Sequence, residues 1–245
     1  MQEHDPSTYG DRIADIYDDF YPTRSRHDER AIDVLAELAG GGRVLELGIG
    51  TGRMALPLAA RGLEVRGIDA SSRMLEKLRA KTGGADLQVT VGDFADVGAE
   101  GRFRLVFIVF NTFFALTTEA EQARCLRNVA EHLADGGVFL LEAFVPDLGR
   151  FDRDQTVRAI DVDDDQVLLE ASIHDPREQV IRSQHIFIRD GSLSLYPVKI
   201  RYAWPDELDR MASDAGMRLR ERRGGWGREP FTPESANHIS VYERV

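Results

Sequence analysis

One stretch, residues 43–53, constrains the fold of this chain more than any other part of its sequence. It reads RVLELGIGTGR, a short apolar run with an acid near its end, followed by glycines at alternate positions. An apolar run before a glycine-rich turn predicts a strand, and the pattern after it predicts the start of a helix. Glycine permits positive φ and close approach of the backbone, so we expect this loop to hold a small molecule.

Three kinds of ligand are candidates for such a loop. A phosphate-binding P-loop would close its glycines with a Lys-Ser/Thr pair, whereas Gly52 is followed here by Arg53-Met54. A dinucleotide site would need a third glycine where Arg53 stands, and Glu46 would repel a pyrophosphate. An acid beside a glycine loop suits a cation better. S-adenosylmethionine carries a sulfonium and an ammonium but no phosphate, and it fits that requirement.

Residues 44–52 resemble motif I of the class I S-adenosylmethionine-dependent methyltransferases, of the type that acts on small molecules and natural products. Two later segments resemble further motifs of this family. Residues 69–75, DASSRML, are similar to the family's Asp-x-Ser-x-x-Met-Leu form, and residues 92–94, GDF, are similar to its acid after the third strand. The resemblance implies S-adenosylmethionine as cofactor and transfer of its methyl group to a nucleophile.

The resemblance also implies roles for single residues. Asp69 would accept both ribose hydroxyls, Met74 would pack on the adenine, and Asp93 and the backbone of Phe94 would read the adenine edge. Tyr17 would donate a hydrogen bond to the cofactor carboxylate. Taken alone, Asp69 is equally compatible with a helix cap. The alternative for Asp93 is an ordinary turn residue. The residues expected to contact the cofactor are Tyr17, Glu46, Gly48, Gly50, Asp69, Ala70, Met74, Asp93, Phe94 and Phe110.

An amphipathic helix is predicted over residues 7–20, because apolar residues recur there at helical spacing. The segment YDDFY at residues 17–21 resembles a helix that closes over the cofactor in related small methyltransferases. A helix packed on the core remains an equal alternative to such a lid.

The patterns together predict an α/β fold with a Rossmann-like, seven-stranded, mostly parallel sheet and helices on both faces. The resemblance implies the strand order 3-2-1-4-5-7-6, with the last strand antiparallel to the others. Pro57 predicts a kink or an early end in the helix after the glycine loop. We expect residues 1–150 to hold the lid helices and the cofactor-binding core, residues 151–203 to form an inserted cap, and residues 204–245 to complete the core sheet.

Alternating runs at residues 167–173, 180–188 and 193–202 predict an antiparallel β meander in the insert, placed over the active site. Asn111 follows the fourth strand, where ligands bind in open α/β sheets. The segment NTFF at residues 111–114 departs from the tetrad of adenine methyltransferases, so base methylation has no motif support. The expected acceptor contacts are Asn111, Phe187, Tyr202 and Trp204.

A catalytic residue is not assigned from the sequence. An O-methyltransferase needs a base, whereas an amine that has already lost its proton does not. His174, His185 and His238 are candidate bases, although each is also compatible with an ordinary place in a strand. No pair of carboxylates or histidines has metal-ligand spacing, so we expect no metal.

Charge and composition exclude several classes of protein. The formal net charge is −11 and the sequence pI is about 5.1, so we expect no nucleic-acid partner. No apolar run approaches the roughly 20 residues of a membrane helix, and we expect no membrane partner. A single cysteine, Cys125, excludes an internal disulfide. We expect a cytoplasmic protein, with a homodimer as a candidate assembly.

The sequence thus predicts an S-adenosylmethionine-dependent methyltransferase that acts on a small molecule or a peptide, by N- or O-methylation. Two alternatives remain open: an oxidoreductase that uses NAD, and a non-catalytic module that binds S-adenosylmethionine.

Overall fold

Two β-sheets and seven helices make up the described part of the chain. The computed structural model describes residues 6–20 and 26–245, so Tyr21, in the lid-like segment, lies outside it. The strands are β1 (Val44–Leu47), β2 (Val65–Asp69), β3 (Gln88–Val91), β4 (Phe103–Ile108), β5 (Leu133–Phe144), β6 (Gln155–Val162), β7 (Gln166–Asp175), β8 (Val180–Arg189), β9 (Ser192–Arg201), β10 (Met217–Arg223) and β11 (Asn237–Arg244). The helices are α1 (Thr8–Ile13), α2 (Tyr17–Phe20), α3 (Arg26–Ala39), α4 (Ala55–Ala60), α5 (Ser72–Arg79), α6 (Glu119–His132) and α7 (Pro205–Asp214).

The larger sheet has seven strands and confirms the predicted order. Across the sheet the strands run β10-β11-β5-β4-β1-β2-β3, which is 3-2-1-4-5-7-6 when the core strands alone are counted. The five strands β1 to β5 run parallel to one another, and β11 is antiparallel to both β5 and β10. This order makes β1 and β4 adjacent central strands, and ligands bind at their carboxyl ends in such sheets.

Helices cover both faces of this sheet, as expected. Successive residues of β4 point to opposite faces, which is the period of a strand. Leu105 and Phe107 pack with residues of α3, α4 and α5, whereas Val106 and Ile108 pack with residues of α6 and α7. Because both faces of the central strand are buried, its sequence is an almost continuous apolar run.

Two predictions about helices differ from the structure. The single helix expected over residues 7–20 is divided into α1 and α2. The helix after the glycine loop does not end at Pro57, because it begins only at Ala55. Pro57 therefore lies in the first turn of α4, where a backbone N–H has no partner within the helix in any case.

The insert is a four-stranded antiparallel sheet in the order β6-β7-β8-β9, which we call the cap sheet. Its first strand, Gln155–Val162, is absent from the sequence-based prediction because this edge strand is largely exposed and shows no buried phase. Arg201, at the end of β9, is buried and bonds to Gln122 of α6 at 2.7 Å and to Glu207 of α7 at 2.6 Å. These contacts attach the cap sheet to the core, while the three-part division of the chain stays a prediction.

Candidate active site

The glycine loop presents bare backbone at the carboxyl end of β1. Gly48 and Gly50 have φ values of +73° and +53°, a region that residues with a side chain rarely adopt. A Cβ on Gly48 would lie 2.6 Å from Cγ2 of Thr112, whereas a Cβ on Gly50 would meet nothing within 4 Å. Gly48 is therefore needed for close packing, and Gly50 leaves open space for a ligand.

Asp69 ends β2 beside this loop. Its two carboxylate oxygens accept hydrogen bonds from the backbone N–H of Gly50 at 2.7 Å and of Ser71 at 2.8 Å. Burial raises the pKa of Asp69 above its ordinary value, and the two backbone donors oppose that shift. Each oxygen can accept a further hydrogen bond, so the carboxylate is held in place for a ligand with two hydroxyls.

Glu46 lies on the neighbouring strand β1 and is 4 % exposed. Burial raises its pKa well above the usual value, the negative charge of Asp69 adds to the shift, and the backbone N–H of Ala55 opposes it. Its Oε2 is buried and has no hydrogen-bond partner among the described residues. A buried acid with an unpaired oxygen beside a second acid is a place that favours a cation, so these residues fit S-adenosylmethionine better than a pyrophosphate.

The carboxyl end of β4 carries two strained residues. Phe110 and Asn111 both have positive φ, +57° and +63°, which is costly for residues other than glycine. The N–H of Phe110 donates to Oε2 of Glu142 at 3.0 Å, and the N–H of Phe144 donates to Oδ1 of Asn111 at 2.6 Å. Glu142 also accepts from the indole N–H of Trp226, so it holds this turn in place.

The N-terminal helices close one side of the site. In α2, Asp18 accepts hydrogen bonds from the hydroxyl of Thr51 at 2.6 Å and from the ammonium of Lys81 at 2.9 Å. Tyr17 packs on a small cluster that includes Met74 of α5. The helices are thus tied to the glycine loop and to the segment after α5, while a lid role for them stays a prediction.

A cavity of about 1540 Å³ lies between the carboxyl edge of the larger sheet and the cap sheet. It brings together most of the residues that the sequence predicts around the cofactor. Those on its wall are Tyr17, Gly48, Gly50, Asp69, Ala70, Met74, Phe94 and Phe110. Asn111 also lines it.

Two of the expected cofactor residues do not line the cavity. Glu46 is buried in β1, and Asp93 precedes the short turn that starts at Phe94. The carboxylate of Asp93 accepts a hydrogen bond from the N–H of Ala95 at 2.9 Å and lies 3.7 Å from the guanidinium of Arg124. This contact is a local one within the turn, which is the alternative that the sequence left open for Asp93, and its adenine role stays a prediction.

Three of the four expected acceptor contacts lie elsewhere. Tyr202 is 1 % exposed, and its hydroxyl lies 3.0 Å from Nε2 of His174 within the core. Trp204 precedes α7 and packs edge-to-face on Tyr202. Phe187 lies in β8 opposite Leu168 of β7. The structure does not place these aromatic side chains on the cavity wall, because they pack where the cap sheet meets the core or within the sheet.

The three histidines that are candidate bases differ in whether they reach the cavity. His185 lines the cavity, with its Nε2 3.3 Å from Oε2 of Glu170. His174 is buried and stacks on Phe151. His238 is fully buried, and burial together with the positive charge of Arg222 lowers its pKa to about 3, so it stays neutral. Of the three, His185 alone is in a position to meet an acceptor in the cavity.

The sequence analysis missed the polar wall that the cap sheet contributes. Arg150, Arg158, Glu170, Ser172 and Ser183 all line the cavity. One signal was available, since Glu170 stands in the buried phase of the alternating strand β7, where a charge is rarely found without a partner. Within the described ranges no cluster of three or more His, Cys, Asp or Glu side chains is arranged to hold a metal ion.

Comparison with known proteins agrees with this site. The model of a methyltransferase domain family matches residues 44–137. The cypemycin N-terminal methyltransferase of a Streptomyces species is 30% identical over 244 residues, which cover 98% of this chain and 99% of the relative. The structure of the CcbJ methyltransferase from Streptomyces caelestis matches with a TM-score of 0.92 and 40% identity, covering 98% of this chain and 99% of that one. CalS10 from Micromonospora echinaspora, an amino pentose methyltransferase solved with S-adenosylmethionine, shares the fold at a TM-score of 0.71 and 23% identity, covering 94% and 97%.

The chain belongs to the class I S-adenosylmethionine-dependent methyltransferases. Within that family it is of the natural-product type, an enzyme that uses S-adenosylmethionine as its methyl donor. The position of Arg53 agrees with this. Arg53 stands where a dinucleotide-binding loop would have its third glycine. Its guanidinium bonds to Asp28 at 2.7 Å and lies 4.1 Å from the ring centre of Phe110.

Proposed function

We propose that this enzyme methylates an amine nitrogen on a small molecule or a peptide. The main support for this proposal is that one cavity extends from the glycine loop to the inner face of the cap sheet. At about 1540 Å³ it exceeds the roughly 300–1,000 Å³ of an ordinary ligand pocket. Such a volume accommodates a cofactor at the loop and an acceptor against the cap sheet at the same time.

The preference for nitrogen over oxygen is supported by the relatives. The cypemycin enzyme is described as an N-terminal methyltransferase, and CalS10 as an amino pentose methyltransferase. A further relative, from Saccharopolyspora spinosa, is an N,N-dimethyltransferase of a dTDP-linked amino sugar and is 28% identical over 141 residues. An amine that arrives unprotonated needs no base, which agrees with the absence of an assigned catalytic residue.

When S-adenosylmethionine is bound, its sulfonium supplies an activated methyl group. The chain's own residues then orient the two reactants and keep water out, and orientation provides much of the rate. We propose that Asp69 holds the ribose, that Met74 packs on the adenine, and that the strained turn at Phe110 and Asn111 sets the distance between cofactor and acceptor. His185 is retained as a candidate proton acceptor on the cavity wall.

We also propose that the enzyme works in the cytoplasm without nucleic-acid or membrane partners. The net charge of −11 opposes binding to polyanions. Over residues 6–20 and 26–245, no helix combines the length and the apolar character that crossing a bilayer requires.

A homodimer through the outer face of the cap sheet is our proposal for the assembly. Val162, Val167, Ile188 and Leu193 lie directly opposite one another across β6, β7, β8 and β9 and form one row on one face. Val162 and Leu193 are 67% and 61% exposed. A two-fold interface brings the same patch of two subunits together, and an exposed apolar row of this kind would be buried by such a contact.

The acceptor proposal can be tested with a turnover screen. Amine, hydroxyl and thiol compounds, together with short peptides, are incubated with S-adenosylmethionine, and formation of S-adenosylhomocysteine is measured. We expect turnover with amines, and mass spectrometry should locate the methyl group on nitrogen. Turnover confined to hydroxyl or thiol compounds would contradict N-methylation.

A further inference from the structure

Four charged or titratable side chains meet on the cavity wall, and we call them the arginine cluster: Arg150, Arg158, Glu170 and His185. Glu170 is 8 % exposed, and its Oε1 lies 3.0 Å from Nε of Arg158 and 3.7 Å from Nη1 of Arg150. Its Oε2 lies 3.3 Å from Nε2 of His185. All four residues line the cavity that also contains the glycine loop.

The register of the cap sheet places the cluster on one face. Arg158, Glu170 and His185 lie directly opposite one another on β6, β7 and β8. Ser172 and Ser183 form the next pair on the same face, with their hydroxyl oxygens 2.7 Å apart. Because residues two apart on a strand share a face, these side chains form one continuous polar wall.

The positive charges in the cluster outnumber the negative ones. Burial alone would raise the pKa of Glu170, but hydrogen bonds from His185 and Arg158 and the charges of both arginines lower it to about 2, so the carboxylate is ionised. Two guanidiniums therefore face one carboxylate. Burial lowers the pKa of Arg150, and the like charge of Arg158 contributes to that shift. Two guanidiniums and the one carboxylate of Glu170 together leave an excess of one positive charge.

The guanidiniums also have unused hydrogen-bond donors. Each presents five N–H groups, and Arg158 uses its Nε on Glu170. Arg150 lies over the ring of Phe151 at 4.9 Å and only approaches Glu170. Within the described residues, no second carboxylate lies within ion-pair distance of either guanidinium, although the negative charge of Asp147 acts on Arg150. The side chains of Arg150 and Arg158 are 24% and 46% exposed, so their free donors are open to the cavity. Donors of this kind favour a ligand that accepts hydrogen bonds and carries negative charge.

We propose that the acceptor carries a carboxylate, which Arg150 and Arg158 bind while the nitrogen to be methylated lies toward the glycine loop. Glu170 and, more weakly, Asp147 already offset much of the positive charge of the two guanidiniums, so the cluster suits a carboxylate monoanion better than a phosphate dianion. This inference rests on the proposed amine methylation and narrows its substrate class to amines with a carboxylate, such as amino acids or peptides with a free acid.

The test uses matched pairs of amines that differ only in a carboxylate or its primary amide. Each pair is added to the protein saturated with S-adenosylhomocysteine, and binding is measured by thermal shift and calorimetry. We expect the carboxylate members to bind more tightly than the amides by about tenfold or more, as hydrogen bonds to charged groups predict. Arg158→Gln should remove that difference, and Arg158→Lys should restore only part of it.

Arg177→Gln is the matched control, because Arg177 lies on the exposed turn between β7 and β8 and does not line the cavity. Binding of S-adenosylhomocysteine should be equal in all variants, which shows that the cofactor site and the fold are intact. Three results would overturn the inference: amides that bind as tightly as acids, an Arg158→Gln variant that keeps the preference, or no binding by any pair. The turnover screen with S-adenosylmethionine tests the proposed N-methylation separately, because a product methylated on another atom would be found there and not in the binding measurements.

Discussion

Asp69 is the residue whose geometry most directly prepares the cofactor site, because two backbone N–H groups already hold its carboxylate. We expect Asp69→Ala to weaken binding of S-adenosylhomocysteine about tenfold to a hundredfold. The reason is that a hydrogen bond to a charged group contributes roughly 1.5–3 kcal/mol, and about 1.4 kcal/mol is a factor of ten. Calorimetry measures the change. Asp214→Ala, at the exposed end of α7, is the control. If Asp69→Ala binds S-adenosylhomocysteine as tightly as the wild type, Asp69 does not hold the ribose.

Replacing Glu46 with glutamine should raise the stability of the ligand-free protein and weaken its binding of S-adenosylmethionine. Its pKa is raised in the folded state, so the folded protein binds this proton more tightly than the unfolded chain does. The free energy of unfolding therefore falls as pH rises from the ordinary pKa of a glutamate to the raised one. Glu46→Gln cannot ionise and should remove this fall.

Above that interval, we expect the ligand-free Glu46→Gln variant to melt about 2–4 °C higher than the wild type, which corresponds to roughly 1 kcal/mol in a chain of this size. At acidic pH the two proteins should melt together. The same variant should bind S-adenosylmethionine more weakly, because the cationic ligand loses a negative partner. Scanning fluorimetry across pH measures the first effect, and a variant that melts lower at every pH would show that the charge of Glu46 does not destabilise the free enzyme.

At the scale of secondary-structure elements, α2 is held to the glycine loop mainly through Asp18. We expect Asp18→Ala to raise the dissociation constant for S-adenosylmethionine several-fold while the melting temperature of the free protein changes by about 2 °C or less. Half-exposed ion pairs contribute roughly 0–1 kcal/mol to stability, so we expect the main effect of losing this one to be on Tyr17, the neighbouring residue on the cavity wall. Asp33→Ala breaks a comparable exposed pair with Arg61, away from the cavity, and is the control. If the two variants bind S-adenosylmethionine with equal affinity, α2 does not act as a lid over the cofactor.

At the scale of the whole molecule, the apolar row on the cap sheet predicts how copies of the chain associate. Leu193→Lys places a charge within the apolar row of the proposed two-fold contact, and we expect it to convert a dimer into a monomer in light-scattering measurements. Leu219→Lys changes a partly exposed leucine of β10 and should leave the dimer intact. A wild-type protein that is monomeric at all concentrations would rule out this interface.

The cofactor half of this enzyme was readable from the sequence because its chemistry is local. Gly48 and Gly50 act through backbone geometry, and Asp69 acts through its position at the end of a strand. Both features can be recognised from a few neighbouring residues in the sequence. The central strands were equally clear, since burial on both faces requires a continuous apolar run such as residues 103–110. Family resemblance supplied the strand order, and the structure confirmed it.

The acceptor half was decided mainly by tertiary structure, although Asn111 and His185 were named from the sequence and line the cavity. Arg158, Glu170 and His185 lie on three strands and become neighbours only through the register of the cap sheet. Phe187, Tyr202 and Trp204 were expected to contact the acceptor as aromatic residues of an insert placed over the cofactor site, yet the hydroxyl of Tyr202 bonds to His174 in the core. Which face of a strand meets a cavity depends on what packs against it, and that information is not contained in the strand's own residues. The sequence by itself therefore determined the methyl donor, and the packing of the cap sheet against the core decided what the donor can meet.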